Sequence, residues 1–171
     1  NDFVKAQMDY LSGSAYKFLG QAGEAHTRFL HAVENYPVSY YSYLSLVELV
    51  DAGVTVSDLD RGLVDYFAGQ YEVALVALDR YIAADLDVDG TARYYRALTL
   101  TKLQKYTEAV DGFSYFIDNY PAHPKWSVAW YGDLNYPVGT PGLAFVQWYY
   151  LEQNIQASQT LRNFSAISPS D

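Results

Sequence analysis

Along residues 66–78 the apolar positions mark two helices meeting at a turn. Tyr71, Ala74, Leu75 and Leu78 recur at the three-and-four spacing of one buried helix face, just after Gly69, a residue suited to ending the preceding helix. The frame returns at Tyr106, Ala109 and Phe113, with Ala109 placed 35 residues after Ala74. Such a period denotes stacked helical hairpins, because a single hairpin cannot bury its apolar face alone. Upstream, Gly13, Tyr16, Gly20, Ala25, Phe29, Ala32 and Pro37 form another unit, with small residues where two helices touch and a proline where the second must stop. A looser unit holds Ala157, Leu161, Phe164 and Pro169.

The spacing is uneven: Ala25 to Ala74 spans 49 residues and Ala109 to Ala157 spans 48. In the first gap, Ser39 can cap an additional helix running from Tyr40 through Val50, with Gly53 as a left-handed stop. Ser57, followed by Asp58 and Asp60, then opens the next hairpin with charges suited to a helix N-terminus. In the second gap, residues 132–142 carry two prolines and three glycines, so they read as an exposed, mobile loop inserted into the first helix of the last hairpin. The predicted fold is all-α, a right-handed superhelix of about eight helices in one domain over residues 1–171. Its parts are a hairpin at 6–36, an extra helix at 39–51, hairpins at 57–84 and 90–119, and a loop-interrupted hairpin at 125–168.

These units resemble the tetratricopeptide repeat over most of the chain. The extra helix, Ser39-Tyr40-Tyr41-Ser42-Tyr43-Leu44 and onward, follows directly on Asn35-Tyr36-Pro37, and this is similar to the tyrosine-rich superhelix of bacterial soluble lytic transglycosylases. That resemblance implies a cell-envelope, extracytoplasmic setting and a scaffold role beside a peptidoglycan-cleaving domain. The family's catalytic Glu-Ser pair and its Gly-Leu-Met-Gln stretch are both missing from this chain, so the resemblance does not carry the activity over.

Composition narrows the partners. Lys+Arg 11 against Asp+Glu 20 leaves a formal charge of −9, which argues against nucleic acid, since such binding draws on clustered cations. The absence of cysteine removes thiolate chemistry and disulfides. No run approaches the length of a membrane span, and residues 1–5 lack the charged-then-apolar order of a secretory leader. His26 and His31 are five apart, which puts them on different helix faces and not at ligand spacing. Glu24, Glu72 and Glu108 stand just before the alanine of a second helix, where the helix dipole favours an acid. No catalytic residue, metal or cofactor is expected, and the chain reads as a non-enzymatic module. The partners expected are a protein or peptide, or a peptidoglycan glycan strand, with self-association through apolar ends around Phe3, Val4 and Phe164.

In a tetratricopeptide solenoid the first helix of each hairpin lines the concave side. Counting from the shared alanines places Tyr10, Ser14, Lys17, Leu59, Leu63, Tyr66, Tyr94, Leu98 and Thr101 there, with Tyr10 and Tyr94 at equivalent positions. Eighteen tyrosines make stacking on sugars or peptides conceivable, although tyrosine also suits wet helix seams. Asp85-Leu86-Asp87-Val88-Asp89-Gly90 copies the first half of a calcium loop, but Arg96 stands where the closing glutamate belongs. The acidic stretch therefore reads as a turn in which Asp89 caps the next helix. Millimolar calcium is expected to leave the melting temperature unchanged, and a rise of several degrees would restore the calcium reading.

Overall fold

The computed structural model describes residues 1–133 and 140–167. Its helices are α1 (Asp2–Phe18), α2 (Ala22–Asn35), α3 (Tyr40–Asp51), α4 (Asp58–Phe67), α5 (Tyr71–Ala83), α6 (Thr91–Lys102), α7 (Tyr106–Asn119), α8 (Trp126–Tyr131), α9 (Leu143–Phe145) and α10 (Asn154–Ile167). A π-helical turn, Val146–Tyr150, continues α9. Gly132–Asp133 and Thr140–Pro141 form a two-residue antiparallel ladder in an otherwise all-α chain. The chain divides into two compact units, Asn1–Arg80 and Tyr81–Asp171, with the boundary inside α5.

In the first unit the close approach of paired helices follows from two residues without a side chain. A Cβ at Gly13 would lie 2.5 Å from the Phe29 ring, and one at Gly62 would lie 2.7 Å from Leu78. Each glycine sits twelve residues ahead of the alanine of its hairpin, Ala25 or Ala74, and both alanines are buried. Around the first pair Ala25, Phe29, Val33, Leu46, Leu49 and Val64 form a core, and Tyr10, Tyr16 and Tyr43 pack on its margin. Helix α3 lies against both α1 and α2. It starts where the Ser39 hydroxyl accepts a hydrogen bond from the Tyr41 amide at 3.3 Å, and Ser57 caps α4 likewise through the Asp60 amide.

In the second unit α6 and α7 repeat this arrangement, with Ala97 twelve residues ahead of Ala109 and close to Gly112. The two units also end their hairpins alike. Asn35-Tyr36-Pro37 and Asn119-Tyr120-Pro121 close α2 and α7, each asparagine amide donating to the carbonyl four residues earlier. The φ of Tyr36, −137°, and that of Tyr120, −127°, turn the chain out of the helix before proline. Beyond α7, Trp126 donates its indole N–H to the Ile117 carbonyl, and Trp126, Trp130 and Tyr131 surround Phe164 of α10.

The loop predicted at 132–142 needs correction at its flanks. Gly132, Pro141 and Gly142 are buried, not exposed. The returning backbone presses onto the end of α8, where a Cβ at Gly142 would stand 2.4 Å from the Gly132 nitrogen and 2.7 Å from the Val128 oxygen. Residues 134–139, the centre of that loop, and Pro169 lie outside the described residues. No described helix is long and apolar enough to cross a membrane.

Ala109 has no exposed surface, so a longer side chain there must push α6 and α7 apart. Ala109→Leu is expected to cost about 1–3 kcal/mol, read as a lower urea midpoint. Ala74→Leu should behave in the same way, and unchanged midpoints in both variants would mean that these alanines are not the contact points.

Candidate functional site

The nine residues predicted to line a groove divide by unit. In the second, Tyr94 and Leu98 are 2% exposed and Thr101 is 5% exposed, so none of the three lines an open surface. Tyr94 instead packs against Phe113, Phe116 and His123, and the Thr101 hydroxyl donates back to the Ala97 carbonyl. The physical reason is the pairing of α6 with α7, whose aromatic face needs a large partner at position 94.

In the first unit, the face of α1 that bears Tyr10, Ser14 and Lys17 is turned toward the additional helix. Phe3 and Tyr10 meet the Tyr41 ring at 5.3 and 5.8 Å, and Gln7 donates to the Tyr41 hydroxyl at 2.9 Å. Lys17 pairs with Glu48 of α3, and this hydrogen bond raises its ammonium above the ordinary lysine range. Ser14 spends its hydroxyl on the Tyr10 carbonyl. Leu59, Leu63 and Tyr66 are half-buried on α4, with the Tyr66 ring beside Phe67 and Tyr71. The predicted groove residues on α1 are thus largely helix-seam residues.

Two concavities flank the C-terminal end of α3 and share Asp51. One, of about 310 Å³, is lined by Lys17, His26, Phe29, Glu48 and Asp51 among others. The other, of about 250 Å³, lies among α3, α4 and the start of α5, with Val47, Val50, Asp51, Arg61, Asp65 and Val73 on its walls. Asp65 is 4% exposed, and burial pushes its carboxyl up to about 6 against the pull of Arg61. The Arg61 Nε stands 3.7 Å from Asp65 Oδ2, and neither atom has a hydrogen-bond partner. A charge buried this incompletely satisfied is costly, which makes it the most informative polar group in the first unit. A buried carboxylate amid apolar wall residues is not legible from Arg61-Gly62-Leu63-Val64-Asp65, which reads as an ordinary amphipathic helix with an i,i+4 ion pair.

The acidic turn before α6 is a cap, with its roles redistributed from those predicted. The Asp87 carboxylate, fully buried, accepts from the amides of Ala92 and Arg93 at 2.8 and 3.1 Å and from the Arg93 guanidinium at 3.0 Å. Asp89 accepts from the amide and hydroxyl of Thr91. Burial alone would raise the Asp89 carboxyl, but these bonds outweigh it and hold it below its ordinary range. His123 Nδ1 accepts from the Lys125 amide, which assigns the proton to Nε2 and lets it donate to Thr91 at 3.2 Å. Burial lowers the His123 imidazole below its ordinary range. Elsewhere, His31 pairs with the largely buried Asp9 at 2.6 Å, joining α2 to α1. Among the described residues no group of three or more His, Cys, Asp or Glu side chains is arranged to hold a metal.

A family model described as tetratricopeptide repeat matches residues 91–123, the stretch that contains α6, α7 and the Asn119-Tyr120-Pro121 turn. Comparison with curated proteins and with solved structures gives no match. The chain thus carries a tetratricopeptide repeat within an all-α fold of helical hairpins.

Because Tyr94 is buried among aromatic rings, Tyr94→Ala is expected to act on stability before it acts on any ligand. The loss should be about 3–5 kcal/mol, as for other large aromatic truncations in a core. Chemical denaturation checks this; a variant with the wild-type midpoint would return the ring to the surface.

Proposed function

We propose that this chain is a non-catalytic helical scaffold that binds a protein or peptide partner. The observation that carries the reading is the tetratricopeptide repeat at residues 91–123, a hairpin type that serves widely as a protein-binding module. The disposition of the polar groups supports it. Glu24, Glu72 and Glu108 lie in the first turns of α2, α5 and α7, where they oppose the helix dipole. His31, His123, Asp87 and Asp89 are occupied in joining or capping helices.

A second reading, favoured by one surface, places the chain in the cell envelope as the solenoid part of a lytic transglycosylase-like, peptidoglycan-processing protein. Trp148 is 56% exposed and Tyr149 61% exposed on the π-helical turn of the second unit, and such rings can stack on sugar faces. Self-association belongs to either reading. It is supported by the apolar stripe Val4, Met8, Leu11 and Phe18, which α1 leaves exposed.

Affinity capture with the purified chain, set beside co-sedimentation with peptidoglycan sacculi, separates the two readings. The adaptor reading expects a discrete protein retained in stoichiometric amount and no enrichment on sacculi. Co-sedimentation without a retained protein would transfer the assignment to the cell wall, and release of soluble muropeptides would overturn the non-catalytic assignment.

A further inference from the structure

The pocket among α3, α4 and the start of α5 holds a buried carboxylate that the protein's own side chains leave incompletely partnered. Asp65 Oδ2 has no hydrogen-bond partner, and the cation assigned to it, Arg61, comes from the same helix one turn earlier and stops at 3.7 Å. Three valines, Val47, Val50 and Val73, are 39–42% exposed beside this group, and Asp51 stands at the rim. At about 250 Å³ the space falls below the ~300–1,000 Å³ of small-molecule sites and suits one side chain.

Charge selects among side chains. Asp51 and Asp65 against Arg61 leave the lining one negative charge in excess, within a chain of formal charge −9. The last turn of α3 carries no basic residue, so its carbonyl end adds to the negative potential. Glu48, the neighbouring acid, is already paired with Lys17.

We propose that this pocket takes the side chain of a lysine or arginine from a partner peptide, its aliphatic stem along Val47, Val50 and Val73 and its cation at Asp51 and Asp65. The proposal rests on the adaptor reading and names the chemistry of the partner. Ligand entry requires Arg61, a third exposed, to swing outward and leave Asp65 to the incoming cation. The titratable and charged groups lining the pocket are Tyr43 and Asp51 of α3 and Arg61 and Asp65 of α4, while α5 contributes none. The incoming cation needs Asp65 ionised. With that carboxyl at about 6, affinity should be full above pH 7 and fall as the pH drops toward 5, well before ordinary carboxylates titrate.

The test titrates acetyl-Gly-Lys-Gly-amide into the ¹⁵N-labelled full chain, alongside its arginine, norleucine and glutamine counterparts. The lysine and arginine peptides should shift amides within 43–51 and 61–73 and bind at least about threefold more tightly than the other two. Affinity should drop about fivefold or more between pH 7.5 and 5. Asp65→Asn, with unchanged amide dispersion, should abolish the preference for lysine over norleucine. Equal shifts from lysine and norleucine, shifts confined to other residues, or a folded Asp65→Asn that keeps the preference would each overturn the proposal. If that variant does not fold, the norleucine comparison and the pH series on the wild type decide. A chain that captures a protein partner but fails these tests loses only the pocket. A chain that passes them and captures no protein keeps the pocket and loses the adaptor reading.

Discussion

Helix pairing in this protein depends on the absence of side-chain volume at a few positions. Gly13 and Gly62 let the rings and methyls of Phe29 and Leu78 reach the backbone of the facing helix, and Ala97 meets Gly112 in the second unit. Interiors are close-packed, so a gap or an excess methylene at such a contact is felt across the hairpin. With the axes held this near, larger residues on either side have little choice of direction. Phe29 is driven into the first core, and Phe113 and Phe116 close around Tyr94 in the second unit.

This packing explains how a tyrosine-rich chain spends its tyrosines. Tyr10 and Tyr41 lie in the seam between α1 and α3, Tyr106 stacks on Tyr150 with centroids 4.1 Å apart, and Tyr120 covers Gly90 and the Arg93 guanidinium. A ring that fills a seam while its hydroxyl stays wet suits thin, half-solvated helical layers, where a fully apolar side chain would leave an exposed edge. Aromatic abundance therefore reflects the architecture first. Two of the well-exposed rings, Trp148 and Tyr149, lie on the π-helical turn and not on the faces predicted from the repeat frame.

Acidic residues divide in a similar way. At helix starts donors lie close at hand: the Asp87 carboxylate receives two amides, and the Asp60 carboxylate accepts from the Ser57 hydroxyl. Asp65 differs because it stands in the interior of α4, where the backbone amides are already used by the helix and offer it nothing. The cation that faces it, Arg61, is reached along the same helix, at a distance too long for a hydrogen bond. The contrast between Asp87 and Asp65, one saturated and one starved, is the physical basis for placing recognition in the first unit's α3–α4 pocket.

The sequence alone determined the all-α hairpin class, the register of Ala25, Ala74 and Ala109 and the caps at Ser39 and Ser57. These depend on local spacing and on backbone groups within a turn or two, which the chain order already brings together. The groove residues were the weakest part of that reading. Whether Tyr10 and Tyr94 face solvent depends on which helix arrives beside them, and equivalent repeat positions met different neighbours: α3 and its Tyr41 for one, Phe113 and Phe116 for the other. The capping role of Asp87 and the unsatisfied state of Asp65 likewise needed three-dimensional placement. Both are acids beside apolar residues in the sequence, and only the tertiary structure decided which would find donors and which would be buried without them.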